Sequence, residues 1–201
     1  MIRLYWCPRT RASRAVWLLE EAGVDYERVF VDIRDPGSRS DPDFLAASPM
    51  AKVPALRDGD VALADSAAIS LYIADRYPGA GLSPTTDDPR RGRFLYWMFF
   101  APGVMEPAMA EKVGGWEPNR GAHGWGDFDT MIRTLEQGLA EGPWLLGERF
   151  SVADVMVGST AAFMRMFNIL PESETIGAYV DRCLGRPAYR KAMTMEDAGH
   201  G

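Results

Sequence analysis

The sequence is poor in the residues that build metal cages and disulfide frameworks. It holds two cysteines, Cys7 and Cys183, and two histidines, His123 and His200. The cysteines are too few and too far apart for either purpose, and neither histidine lies in a ligand-like cluster, so no metal is expected. No stretch approaches the roughly 20 apolar residues that span a bilayer. The opening MIRLYWCPRT enters a strand-like run with no apolar signal core. There is no Lys/Arg-rich run, and the net charge of −6 would repel a phosphate backbone on average. These absences predict a cytoplasmic protein with reduced thiols that has no nucleic acid or membrane as partner.

What is present suits an ordinary globular chain. Of 201 residues, 47% are hydrophobic and 25% charged, enough apolar side chain for one large core or two small ones. Residues Ile2–Trp6 read as a strand ended by Pro8. Ala15, Val16, Leu18, Leu19 and Ala22 repeat at helical spacing until Gly23. Tyr26–Val31 alternates like a second strand. The order strand, helix, strand is a βαβ unit, which makes the two strands parallel. Asp32–Ser48 reads as loop with a short helix near Phe44–Ala47. Val53–Arg57 and Val61–Leu63 flank Asp58-Gly59, a hairpin signal. A helix follows from Asp65-Ser66 to the residue before Pro78.

Residues 80–88 carry linker composition, separating a domain of residues 1–79 from one of residues 89–201. In the second domain only helices are legible. Arg90–Met109 must kink or break at Pro102 and Pro107. Phe128–Leu139 has helical periodicity, and Ser151-Val-Ala-Asp154 reads as a capping box opening a helix to about Phe167. Short helices follow near Thr175–Leu184 and Pro187–Met193, and the tail Glu196–Gly201 reads as frayed. The Gly- and Trp-bearing stretch 114–126 reads as an insertion over a pocket.

Two short pieces carry chemistry. In Lys52-Val53-Pro54-Ala55-Leu56, a proline opens a strand, where it removes a ladder donor. A cis bond at Val53-Pro54 would expose the Val53 N–H and C=O to a peptide ligand adding to the sheet edge. Only about 5–6% of X-Pro bonds are cis, so a trans proline on an edge strand is the plainer reading of the residues alone. Asp65-Ser66 sits at a helix start, where free amides and the dipole favour an anion. Ser66 could hold a carboxylate and Asp65 an ammonium, although either residue also serves as a plain cap.

The order of these pieces resembles the cytosolic glutathione S-transferase superfamily. LYWCPRTRASRAVWLLEEAG is similar to its first strand and helix, ASPMAKVPAL to its NPxGKVPxL stretch, and LADSAAISLYIADRYP to its xxESxAIxxYLxxxYP stretch. GPWLLGERFSVADV resembles xxYLxGxxFSxADI, in which Asp154 is a structural cap. The resemblance implies a thioredoxin-like βαβ-ββα domain followed by an all-α bundle, an α+β/α protein that forms a homodimer. It implies glutathione as co-substrate, a cis Pro54, Val53 pairing with the cysteinyl part, and Asp65 and Ser66 holding the γ-glutamyl end. Lys52 would reach the glycine carboxylate, and Arg11 would hold charge or guard the electrophile pocket.

Members of the family place a Tyr, Ser or Cys in the turn after the first strand. Here Thr10 falls at the serine position and is the first choice for the group that donates to the thiolate. Cys7 is the rival, through thiol–disulfide exchange, although a small buried thiol is its plainer state. The activity implied is conjugation of the glutathione thiolate to small hydrophobic electrophiles, a detoxification reaction. Disulfide reduction or thiol transfer on the same fold is the alternative, and a non-catalytic binding protein the third reading.

Overall fold

The computed structural model describes residues 1–197; the rest of the tail read as frayed, 198–201, lies outside them. The elements in chain order are β1 (Ile2–Trp6), α1 (Ala12–Ala22), β2 (Tyr26–Phe30), α2 (Pro36–Arg39), α3 (Pro42–Ala47), β3 (Ala55–Asp58), β4 (Val61–Ala64) and α4 (Ser66–Arg76). After them come α5 (Arg91–Phe100), α6 (Glu106–Gly114), α7 (Phe128–Gly138), α8 (Val152–Met166), α9 (Glu174–Leu184) and α10 (Pro187–Asp197). Contacts divide the chain into two compact units: Met1–Ala80 together with α10, and Gly81–Arg186.

The first unit is built on a four-stranded sheet in the order β2-β1-β3-β4. β1 and β2 run parallel, as the βαβ reading requires, and the other two pairings are antiparallel. α1 stops where the sequence says, with Gly23 in the left-handed region at φ +62. The β3–β4 turn is shifted one residue from the expected Asp58-Gly59. Asp58 pairs with Val61, leaving Gly59-Asp60 as the two-residue loop with Gly59 at φ +59. That is the position at which a primed hairpin turn takes glycine. The segment after β2 holds two short helices rather than one. Each opens on Asp-Pro: Asp35 caps Gly37 and Ser38, and Asp41 caps Phe44.

α10 completes this unit, whereas the sequence reading ran the second domain through residue 201. It packs on α1 with Tyr189 edge-on to Trp17 at 5.2 Å, and Lys191 pairs with Glu20 at 2.5 Å. Its Met195 carbonyl accepts from Arg28 of β2 at 3.1 Å.

The regular elements of the second unit are helices joined by loops, with isolated bridges near Trp144–Arg149. Pro102 does not break the expected long helix. A π-helical turn over Ala101–Met105 joins α5 to α6 and absorbs the missing donor, and Pro107 falls in the first turn of α6. α8 is the buried centre of the unit and packs on α5 and α9. Its capping box is formed as read: the Asp154 carboxylate accepts from the Ser151 amide at 2.9 Å and the Ser151 hydroxyl at 3.2 Å. Asp154 also accepts from the Leu145 amide and the Tyr179 hydroxyl, tying the preceding loop and α9 to the same helix start. Burial pushes its carboxyl up to about 6, although those four donors pull the other way.

Candidate functional site

Strand register gathers the chemistry-bearing segments at one end of the sheet. The C-terminal end of β1 runs into the turn Cys7–Thr10. β3 begins beside it, since Tyr5 pairs with Ala55, and β4 ends beside β3, since Ala55 pairs with Ala64. Two residues outward from that last pair stand Val53 on one strand and Ser66 on the other. The Cys7–Arg11 turn, Val53-Pro54 and Asp65-Ser66 therefore share one edge, at the carboxyl end of the parallel strands. Open α/β sheets place their ligands at that end.

The Val53–Pro54 bond is cis, as the resemblance implied. The strand starts at Ala55 and not at the expected Val53, so the Val53 main chain stands outside the ladder. Ser48 fixes the approach to it. This fully buried serine donates its hydroxyl to the Lys52 carbonyl at 2.7 Å and accepts from the Lys52 amide at 3.0 Å, while Ala51 donates to the Ser48 carbonyl. The Lys52 main chain is thereby occupied, and its side chain is exposed. Ser48 was not singled out in the sequence; only the fold reveals that its hydroxyl spans four residues.

Asp65 is the N-cap of α4 and adopts φ +79, a left-handed value for a residue with a side chain. Its Oδ1 accepts from the amides of Ala67 at 2.8 Å and Ala68 at 3.2 Å, and its carbonyl accepts from Ile69. Three first-turn amides are thus satisfied. Ser66 keeps its N–H and hydroxyl, which donate to nothing within the chain among the described residues. A helix tip with one uncommitted amide beside one uncommitted hydroxyl suits a carboxylate.

In the turn after β1, Pro8 is followed by Arg9 at φ +57. Thr10 donates its hydroxyl to the Cys7 carbonyl at 2.7 Å, and the same oxygen accepts from the Ala12 amide at 3.1 Å, capping α1. Arg11 is the exposed residue that opens the helix, and no acidic residue occupies the first turn. Cys7 is 8% exposed and carries a free thiol. Tyr5, just ahead, has a buried hydroxyl that finds no partner among the described residues. Its ring lies 5.5 Å from Phe44, in a cluster that Ala51 and Val53 also pack against. Nothing in a strand read as a short apolar and aromatic run signals that orphan.

Family models match both parts of the chain: the glutathione S-transferase N-terminal domain over residues 2–75 and the glutathione S-transferase C-terminal domain over residues 106–183. The chain belongs to the glutathione S-transferase family. A solved glutathione transferase from Methylococcus capsulatus is 30% identical, superposes with a TM-score of 0.81, and is covered over 98% of this chain and 100% of its own. A glutathione transferase homolog from Sulfitobacter, solved with bound glutathione, is 26% identical with a TM-score of 0.74, over 99% and 98% of the two chains. The disulfide-bond oxidoreductase YfcG of Escherichia coli is 28% identical over 99% of this chain and 97% of its own. The family assignment establishes a thioredoxin-like domain followed by a helical one and supports an enzyme of the glutathione transferase type.

Proposed function

We propose that this protein conjugates glutathione to small hydrophobic electrophiles, with Thr10 assisting the sulfur. The observation that carries this reading is the shared sheet edge on which Ser66 offers an amide and a hydroxyl, Val53 an unladdered main chain, and Thr10 a hydroxyl at a helix start. In this reading the γ-glutamyl carboxylate rests on Ser66 and its ammonium on Asp65, whose carboxylate already caps α4. Val53 pairs with the cysteinyl main chain, and Lys52 and Arg11 face the remaining charge of the tripeptide.

The hydroxyl proton that Thr10 gives to the Cys7 carbonyl is the one a bound thiolate would receive. A rotation about one side-chain bond redirects it, and the pole of α1 adds positive potential at the sulfur. Both favour the thiolate and raise the fraction of nucleophile at neutral pH. The thiol proton passes to solvent, a sulfur lone pair forms the bond to carbon, and the leaving group departs with its electron pair. The protein acts in the cytoplasm, in keeping with its two free cysteines. It acts as a homodimer, for which the half-exposed rings of Tyr96 and Phe99 on α5 supply apolar surface.

The YfcG relationship favours a second reading, thiol–disulfide exchange through Cys7. There the Cys7 thiolate attacks a mixed disulfide, takes up the glutathionyl sulfur and expels the other thiolate. A second glutathione thiolate then releases Cys7 as oxidised glutathione leaves. Two assays on the Thr10→Ala, Thr10→Ser and Cys7→Ala variants separate the readings. Conjugation of chlorodinitrobenzene should fall roughly ten- to hundredfold in Thr10→Ala, the worth of a hydrogen bond to a charged group, and return in Thr10→Ser. Full conjugation in Thr10→Ala, with mixed-disulfide reduction lost in Cys7→Ala, would instead establish the second reading.

A further inference from the structure

Arg9 occupies a place in the Cys7–Thr10 turn that its side chain makes costly. Pro8 stands at the second position and Arg9 at the third with φ +57, where a turn of this shape takes glycine. A residue with a Cβ is strained there, a cost the turn must recover elsewhere. No packing recovers it, because Arg9 is exposed. Nor does a partner: among the described residues its guanidinium makes no ion pair, hydrogen bond or ring contact, while several other arginines of this unit do, such as Arg3 with Glu27 and Arg28 over Trp6. A strained, unpaired cation thus sits one residue before the hydroxyl that the proposed function sets against the sulfur.

We propose that Arg9 is a specificity-determining residue, selecting second substrates that carry a carboxylate or another anionic group near the electrophilic carbon. The inference rests on the conjugation reading above. In that reading the group joined to the sulfur lies beside Thr10, next in sequence to an exposed side chain long enough to span several ångströms. The first turn of α1 holds no acid to neutralise that cation. The chain as a whole is acidic, so the positive charge at this edge is local, and an anionic substrate would meet attraction there and repulsion over much of the remaining surface. Glycine would relieve the backbone and abolish the selection, which accounts for the arginine.

The test is calorimetric binding of two matched reaction products to the full chain: the nitrocarboxyphenyl conjugate of glutathione, made from chloronitrobenzoate, and the neutral dinitrophenyl conjugate. The wild-type protein should prefer the carboxylate-bearing conjugate by about fivefold at low ionic strength, the upper range for an exposed ion pair, with the preference shrinking as salt rises. Arg9→Gly, which fits the backbone and should fold, should bring the ratio to about one. Arg9→Lys should keep the preference. A wild-type ratio near one overturns the proposal and leaves conjugation standing. Equal loss of both conjugates in Arg9→Gly overturns it too, since Arg9 would then hold glutathione itself. If neither conjugate binds the wild type, the conjugation reading fails and this inference with it.

Discussion

Val53 and Ser66 stand at matching positions just past the last pair of the β3–β4 ladder, Val53 before a cis proline and Ser66 after the left-handed Asp65. Ordinary strand continuation would pair them. Instead Pro54 and Asp65 turn the two main chains out of the ladder, and groups that would have bonded to each other face outward.

Ser66→Ala should therefore weaken glutathione binding roughly tenfold, by removing one hydroxyl donor to a carboxylate. Because its hydroxyl donates to nothing else among the described residues, the thermal midpoint should move little. Calorimetric titration with glutathione beside a melting curve checks both halves. A large fall in the midpoint with unchanged affinity would place Ser66 in the architecture and not in the site.

Tyr5→Phe should raise stability by about 1 kcal/mol or leave it unchanged, since a buried hydroxyl without a partner is removed from an apolar cluster. Denaturant unfolding of both proteins measures this. Conjugation by the variant carries further information, because a marked fall would mean that the hydroxyl finds its partner in bound glutathione.

Asp154 predicts a pH dependence with a definite sign. Its folded-state carboxyl lies at about 6, above the ordinary value of 3.8, because burial outweighs its hydrogen-bond donors. The raised value stabilises the fold most below pH 3.8, and that advantage is lost as pH rises through about 6. The change is on the order of 3 kcal/mol over that window. Measured against Asp154→Asn, which does not titrate, wild-type stability should fall between about pH 4 and 6 and run parallel above. A difference that stays flat over that window would mean that the donors hold the carboxylate ionised.

Much of the first unit was legible because its signals are local. Gly23 ends α1 where a left-handed residue is needed, and the βαβ order gives a parallel pair without further information. The capping box at Ser151 and Asp154 was equally plain, being complete within four residues. The first short helix after β2, α2, was missed, although Asp35-Pro36 carries the same cap and proline as Asp41-Pro42, because four residues show no apolar period. Pro102 read as a point where the helix must kink or break, and the interruption there takes the form of a π turn, which the sequence does not specify. The candidate site was legible in its motifs but not in its supports. Ser48, the orphaned Tyr5 hydroxyl and the strain at Arg9 depend on where distant segments meet, and composition does not report that.

The docking of α10 has a consequence for how this protein is made. Glu20, Trp17 and Arg28 all await partners that follow the whole of Gly81–Arg186 in sequence, so a ribosome must synthesise the helical unit before the sheet-bearing one can close. A nascent chain stalled at the linker would present Glu20 without Lys191 and the Trp17 ring without Tyr189, and a fragment cut there would lack both contacts.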